Sequence, residues 1–212
     1  CGTLKIALAH TGAQVFAVER DRDMLRVLEA ERGNIAIELI PGDAKEVDLS
    51  RFVDAQHPTI TVAGNLPYAI TGAIFRNLVE QHQHVARAVL MVQREVRDRL
   101  VAPPDTAEYG ALTVFTSQVF RIDTVLHVPR TAFHPPPKVT SSVVLLTPLT
   151  PLRAERSEMF DRVVRAAFQA RRKTLRKALA QAFDKRHAEA ALERAGIDGT
   201  RRGETLSVEE FG

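Results

Sequence analysis

The sequence predicts an α/β protein built on a mostly parallel sheet, followed by a small all-helical part. Three observations predict it. Short apolar runs alternate with helical patterns through residues 1–150. Those runs are apolar throughout, as strands covered on both faces are. Beyond Pro148-Leu149-Thr150-Pro151 no strand pattern recurs, whereas Phe160, Val164, Phe168, Leu175 and Leu179 return at helical spacing. Two domains are expected, at 1–150 and 151–212, joined by that proline-flanked linker.

The elements follow in order. Residues 4–10 read as a short helix on Leu4, Ile6, Leu8 and Ala9. Residues 14–19 form a compact strand that ends in an acid, Glu19. Residues 21–31 turn Met24, Leu25, Val27 and Leu28 to one side, and Gly33 stops that helix. A strand over 35–40 is closed by Pro41-Gly42-Asp43, and another spans 59–64. A helix over 70–81 precedes a near-continuous apolar strand over 86–93. Residues 94–100 and 111–118 read as helices on either side of the loop Pro103-Pro104-Asp105. The last two strands, 120–128 and 141–147, have no helix between them and are expected to pair antiparallel.

Composition narrows the function classes. Of the 212 residues, 45% are hydrophobic and 26% charged, enough for a packed core under an ordinary charged surface. No apolar stretch approaches the ~18 residues of a membrane span, and no leader pattern opens the chain. The single cysteine, Cys1, excludes an internal disulfide framework and fits a reducing compartment. No zinc-ligand spacing is present, so no metal is expected. Charge is uneven: residues 151–212 carry 14 Lys and Arg against 10 Asp and Glu, and residues 1–150 carry 15 against 16. Between Arg162 and Phe183 lie seven basic residues and no acid, which points to a phosphate backbone or to a solvated helix face.

Chemistry concentrates at strand ends, where open α/β sheets bind ligands. Glu19 is placed to accept both ribose hydroxyls of a nucleoside, or else to pair with Arg20 or Arg22. Gly42-Asp43-Ala44 offers close backbone approach and an acceptor for an adenine amino group, or is an ordinary turn. Asn65-Leu66-Pro67-Tyr68 is the most telling. It sets a carboxamide, a main-chain carbonyl and an aromatic ring at one strand end. The amino group of adenine is a poor nucleophile because its lone pair is delocalised into the ring. Two acceptors at its hydrogens, Asn65 Oδ1 and the Leu66 carbonyl, favour a pyramidal nitrogen and stabilise the charge of attack. Tyr68 would stack on an extruded base. Phe133, ahead of Pro135-Pro136-Pro137-Lys138, either closes the other face of the base or belongs to the core. His10, His82, His84 and His187 suggest no role.

Taken together, these residues resemble the KsgA-type small-subunit ribosomal RNA adenine dimethyltransferases. The likeness is carried by Gly2-Thr3-Leu4, Val18-Glu19-Arg20-Asp21, Gly42-Asp43-Ala44 and Gly64-Asn65-Leu66-Pro67-Tyr68. It continues through Val92-Gln93-Arg94-Glu95-Val96, Tyr109-Gly110-Ala111-Leu112, residues 133–142 and residues 167–175. The resemblance implies a Rossmann-like domain dependent on S-adenosylmethionine (SAM), with a helical C-terminal domain that binds rRNA. It implies that Gly2, Glu19, Gly42, Asp43, Ala44 and Asn65 bind the cofactor, and that Asn65, Leu66, Pro67, Tyr68 and Phe133 serve catalysis. Gln93, Arg94, Lys138, Arg171, Arg172 and Lys173 are the implied RNA contacts. The implied reaction is two methyl transfers to each of two adjacent adenines near the 3′ end of small-subunit rRNA. The implied setting is a pre-30S particle in the cytoplasm, with the protein a monomer. Large-subunit rRNA dimethyltransferases and non-catalytic RNA-binding assembly factors are the competing expectations. The family's first strand and most of its glycine-rich loop are not in this sequence, so the chain is expected to be a fragment. After Tyr68 it reads Ala-Ile-Thr-Gly, where the family often has a polar residue first.

Overall fold

The computed structural model describes residues 3–33 and 35–212, with Thr3 and Tyr68 by backbone alone. Helix α1 (Thr3–Ala9) leads into β1 (Val15–Glu19), and α2 (Arg22–Arg32) crosses over to β2 (Ile37–Pro41). Asp21 starts α2, its carboxylate accepting from the N–H groups of Asp23 and Met24 at 2.9 and 3.2 Å. Gly33, at φ 54°, ends it as expected. The chain continues through β3 (Ile60–Asn65), α3 (Thr71–Glu80), β4 (Val85–Gln93), α4 (Arg94–Leu100) and α5 (Ala111–Val119). β5 (Phe120–Val128) and β6 (Ser141–Pro148) close the α/β part.

The ladders fall into two groups. β1 and β2 pair in parallel, while the second sheet runs β3-β4-β6-β5. Within it, β3 and β4 are parallel, and β6 lies antiparallel to both β4 and β5. Thus the two strands without a helix between them do pair antiparallel. Among the described residues no ladder joins β1 to β3. Burial on both faces is only partial in β2 and β3, and β5 departs from that expectation most. β6 inserts between β4 and β5, which leaves β5 on the rim, with Val125 and Leu126 55% and 49% exposed. Its register slips between Thr124 and Leu126, a kink of the kind that blunts edge strands.

The main core lies between the four-stranded sheet and α3 to α5, around Phe75, Ala88, Leu90, Phe120, Val144 and Leu146. A smaller cluster of Val15, Ala17 and Ile37 holds β1 and β2 to α1. After the linker come α6 (Glu158–Gln169), α7 (Leu175–Ala182), α8 (Lys185–Ala195) and α9 (Val208–Phe211). Ser157, Asp184 and Ser207 cap three of these helices. Their core includes Phe160, Val164, Leu175 and Leu206, and it takes in Tyr109 and Val114 from before the linker. The Tyr109 hydroxyl donates to the Leu206 carbonyl at 2.8 Å, and burial pushes its pKa up to about 12. Helix α5 therefore serves both cores.

Candidate active site

Two groups of residues stand at strand carboxyl ends. The first is Glu19 with the turn after β2. Glu19 Oε1 accepts from the N–H groups of Arg20 and Asp21 at 3.0 and 3.2 Å, and Oε2 lies 3.9 Å from Lys5 Nζ. Its carboxylate is thus oriented by backbone and Lys5 rather than paired with Arg20 or Arg22. The Gly42 N–H donates to the Glu19 carbonyl at 3.0 Å, tying the two strand ends together. Asp43 Oδ1 accepts from Lys45 N–H at 3.1 Å, and Oδ2 has Arg20 and Lys45 each 3.5 Å away. The Lys45 N–H, followed by the Lys45 charge, holds the Asp43 carboxyl below its ordinary value against the opposing cost of its burial. Asp43 is an acceptor at neutral pH. Gly2 lies outside the described residues.

The second group is at the end of β3. Asn65 is that strand's last residue, level with Met91 of β4, and is exposed. Its carboxamide has no hydrogen-bond partner among the described residues. The Leu66 N–H donates to the Met91 carbonyl at 3.0 Å, and the Leu66 side chain is buried. The next two carbonyls differ. That of Pro67 accepts from Ile70 N–H at 3.2 Å and from the buried Thr71 hydroxyl at 2.9 Å, while that of Leu66 accepts from no described residue. The turn spends one carbonyl and leaves its neighbour available. A Cβ at Gly64 would meet Leu66 Cδ2 at 3.3 Å, so the buried Leu66 side chain packs close against this glycine. The Tyr68 side chain is outside the described residues.

The loop 129–140 rises beside the same end of the sheet. Gln93 of β4 pairs with Ser141 of β6, and the Arg94 N–H donates to the Thr140 carbonyl at 3.0 Å. Phe133 in this loop is partly exposed and belongs to none of the buried clusters, so the core reading of Phe133 falls. No hydrogen bond or ion pair among the described residues links the Glu19–Asp43 group to the Asn65 group. The first group is a pair of oriented carboxylates, and the second is a pair of open carbonyl acceptors at the end of a packed strand.

A family model for ribosomal RNA adenine dimethylases matches residues 2–212. The chain belongs to that family. Among its relatives, ribosomal RNA small subunit methyltransferase A of Myxococcus xanthus is 45% identical over 99% of this chain and 75% of its own length. The protein of the same name from Moorella thermoacetica is 42% identical, over 99% and 77%. In fold, the chain is similar to a dimethyladenosine transferase from Plasmodium falciparum, at a TM-score of 0.79 and 22% identity over 99% of this chain and 83% of the other. It is also similar to the 23S rRNA methyltransferase ErmE, at a TM-score of 0.62 and 25% identity over 93% and 79%.

In this rRNA adenine dimethylase the basic residues divide. Arg94 is exposed, with Asp98 3.9 Å away, and Lys138 is exposed in the loop. Arg172 and Lys173 are exposed, with no side-chain partner among the described residues. Arg171 is different, because its guanidinium is also tied within the protein. Its Nε donates to Glu204 at 2.6 Å, and Nη2 donates to the carbonyls of Thr106 and Ala107 at 3.1 and 2.7 Å. A guanidinium engaged on three sides ties the helical part to the loop before α5. The sequence pattern also gave no sign of Arg97, His127 and Ser142. Arg97 Nη2 lies 3.1 Å from His127 Nε2 and donates to it, so the proton on Nδ1 faces Ser142 Oγ at 2.9 Å. This chain of side chains pins α4 to β5 and β6 beneath Gln93 and Arg94. Three residues so far apart in sequence carry no local signal, and only the strand pairing of His127 with Ser142 brings them together.

No helix among the described residues is long and apolar enough to cross a membrane.

Proposed function

We propose that this rRNA adenine dimethylase transfers methyl groups from SAM to the N6 amines of two adjacent adenines near the 3′ end of small-subunit rRNA, giving N6,N6-dimethyladenines in a pre-30S particle. The observation that carries the reading is the pair of open acceptors at Asn65 and Leu66, next to a Pro67 carbonyl that is already taken. The amino group of an adenine placed there finds an acceptor for each hydrogen. The Leu66 carbonyl is held by the backbone of the turn before the base arrives, the Asn65 carboxamide beside it has no competing partner among the described residues, and the two dipoles together stabilise the positive charge on nitrogen. Tyr68 and Phe133 are assigned the two faces of the extruded base. The alkylated ammonium is acidic enough to lose its proton to solvent. After the first transfer only one N–H remains, and one of the two acceptors gives up its partner.

The cofactor assignment fits the donor chemistry of the first group. Ribose hydroxyls and an adenine amine are donors, and Glu19 and Asp43 are acceptors held in place by backbone N–H groups. Glu19, Gly42, Asp43 and Ala44, with Gly2 and Asn65, are assigned to hold SAM, which supplies an electrophilic methyl group when bound. Gln93, Arg94, Lys138, Arg172 and Lys173 are assigned to RNA. We assign the protein to the cytoplasm as a monomer, with residues 1–150 for methyl transfer and 151–212 for rRNA. The small-subunit substrate is favoured over the large-subunit one because the named small-subunit relatives are 42–45% identical and the 23S enzyme 25%.

Asn65→Ala tests the reading. Removing one of the two dipoles is expected to lower kcat for methylation of 30S particles by about 10²–10³, with rRNA binding retained. Unchanged methyl transfer in that variant refutes the assignment of Asn65. Methylation of naked 23S RNA in preference to 30S particles selects the large-subunit reading instead.

A further inference from the structure

The acid-free run from Arg162 to Phe183 contains basic residues with opposite fates. Arg171 is consumed by Glu204 and two carbonyls. Arg162 and Arg165 are exposed on α6, and no carboxylate lies within 4.0 Å of either among the described residues. Glu158 and Asp161, the acids nearest in sequence, form no ion pair with them. Each guanidinium instead lies over an aromatic ring. Arg162 is 4.7 Å from the centroid of Phe183, just past α7, and Arg165 is 5.3 Å from that of Phe115 on α5. Both rings pack against the buried helical core and are therefore fixed supports.

This arrangement differs in kind from a salt bridge. A carboxylate partner cancels the charge it orients. A ring face orients the guanidinium and leaves its charge and its N–H edges to solvent. Three residues apart, the two side chains are neighbours on one helix face. Gln169 continues that exposed face about 6 Å beyond Arg165, and the chain then runs into the exposed Arg172 and Lys173. Arg162 and Arg165 are thus uncancelled cations immobilised beforehand, so that little rotamer entropy remains to be given up on binding.

We infer that Arg162 and Arg165 form a second RNA-backbone grip on α6, apart from the strand-end contacts at Gln93 and Arg94, and that Phe183 and Phe115 are its positioning residues. It rests on the rRNA-binding reading proposed above. The ligand is the phosphate backbone of structured RNA, because two uncancelled guanidinium groups side by side on one exposed helix face offer charge and planar donor forks. Base identity is left to the Asn65 end of the molecule.

The test is filter binding of a small-subunit rRNA transcript over a salt series. Each phosphate that the protein no longer neutralises lowers the slope of log K against log salt by about 0.7–0.9. The Arg162→Gln/Arg165→Gln double variant is therefore expected to reduce the slope by roughly 1.4–1.8, with a rise in Kd on the order of tenfold. Arg162→Lys/Arg165→Lys is expected to keep the slope but bind less tightly, since a lysine has no planar fork. Phenylglyoxal modification of the unaltered protein gives a readout independent of folding in the variants. rRNA should protect Arg162 and Arg165, while Arg171 stays unreactive with or without RNA. An unchanged slope in the double variant, or no protection at 162 and 165, overturns the inference while the methyltransferase reading stands. Failure of the unaltered protein to bind rRNA in any salt-dependent way overturns the rRNA-binding reading itself.

Discussion

The β1–β2 pair and the four-stranded sheet both end in candidate site residues, but they are supported very differently. The four-stranded sheet is packed by a continuous cluster in which Phe75, Ala88, Leu90, Phe120, Val144 and Leu146 are all fully buried. The β1–β2 pair rests on Val15, Ala17 and Ile37 with partly buried neighbours from α1. Two strands with a small apolar face are marginal on their own. Asn65 and Leu66 therefore stand on the stiff part of the molecule, and Glu19 and Asp43 on the thin part. The acceptors assigned to the reacting nitrogen need fixed positions, because a small misplacement there costs rate. The carboxylates assigned to the cofactor can adjust as the ligand adds its own interactions.

The largest effect expected from this contrast is in the core. Phe75→Ala should cost about 3–5 kcal/mol and lower the denaturant midpoint of the whole protein. Ile37→Ala should instead strip amide-exchange protection from β1 and β2 while β3, β4 and β6 keep theirs. Equal loss in both sheets after Ile37→Ala would break the comparison. Next comes the basic run, where Arg171→Ala should cost about 1.5–3 kcal/mol by removing its charge-assisted hydrogen bonds, and Arg172→Ala should stay within about 0.5 kcal/mol. Thermal unfolding of the pair reads this directly. Gly64→Ala should cost about 1 kcal/mol by overpacking against the Leu66 side chain, read from thermal unfolding beside kcat for methylation.

The smallest effect is set by pH. The folded state holds the Asp43 carboxyl below its ordinary value of 3.8. Its contribution is complete above that value and is lost as pH falls through the lower folded value. Protection of β1 and β2 in acid should therefore fall in the unaltered protein, and Asp43→Asn should remove that step. Amide exchange across the acid range measures it.

Much of the fold was legible because local rules agreed with one another. Asp21 and Gly33 bound α2 as their chemistry dictates, and two apolar runs without a helix between them paired antiparallel. The exposure of β5 was not legible. Val125 and Leu126 lie in an apolar run like the others, and the insertion of β6 beside β4 put their strand on the rim. At the site, the acceptor at Asn65 was readable from its residue type. The Leu66 carbonyl was readable as its companion, whereas the capture of the Pro67 carbonyl by Ile70 and Thr71 was visible only in the folded turn.

The sequence by itself determined the alternation of strands and helices, the placing of Glu19, Asp43 and Asn65 at strand ends, and the basic run of the last helices. Periodicity, turn chemistry and charge are properties of neighbours along the chain. Tertiary structure alone decided which of those charges remained free. Arg171 met Glu204 and two carbonyls, while Arg162 and Arg165 met aromatic rings. The partner of a long side chain is chosen by what the fold brings within its reach, and neighbouring arginines in one run carry no mark of that choice.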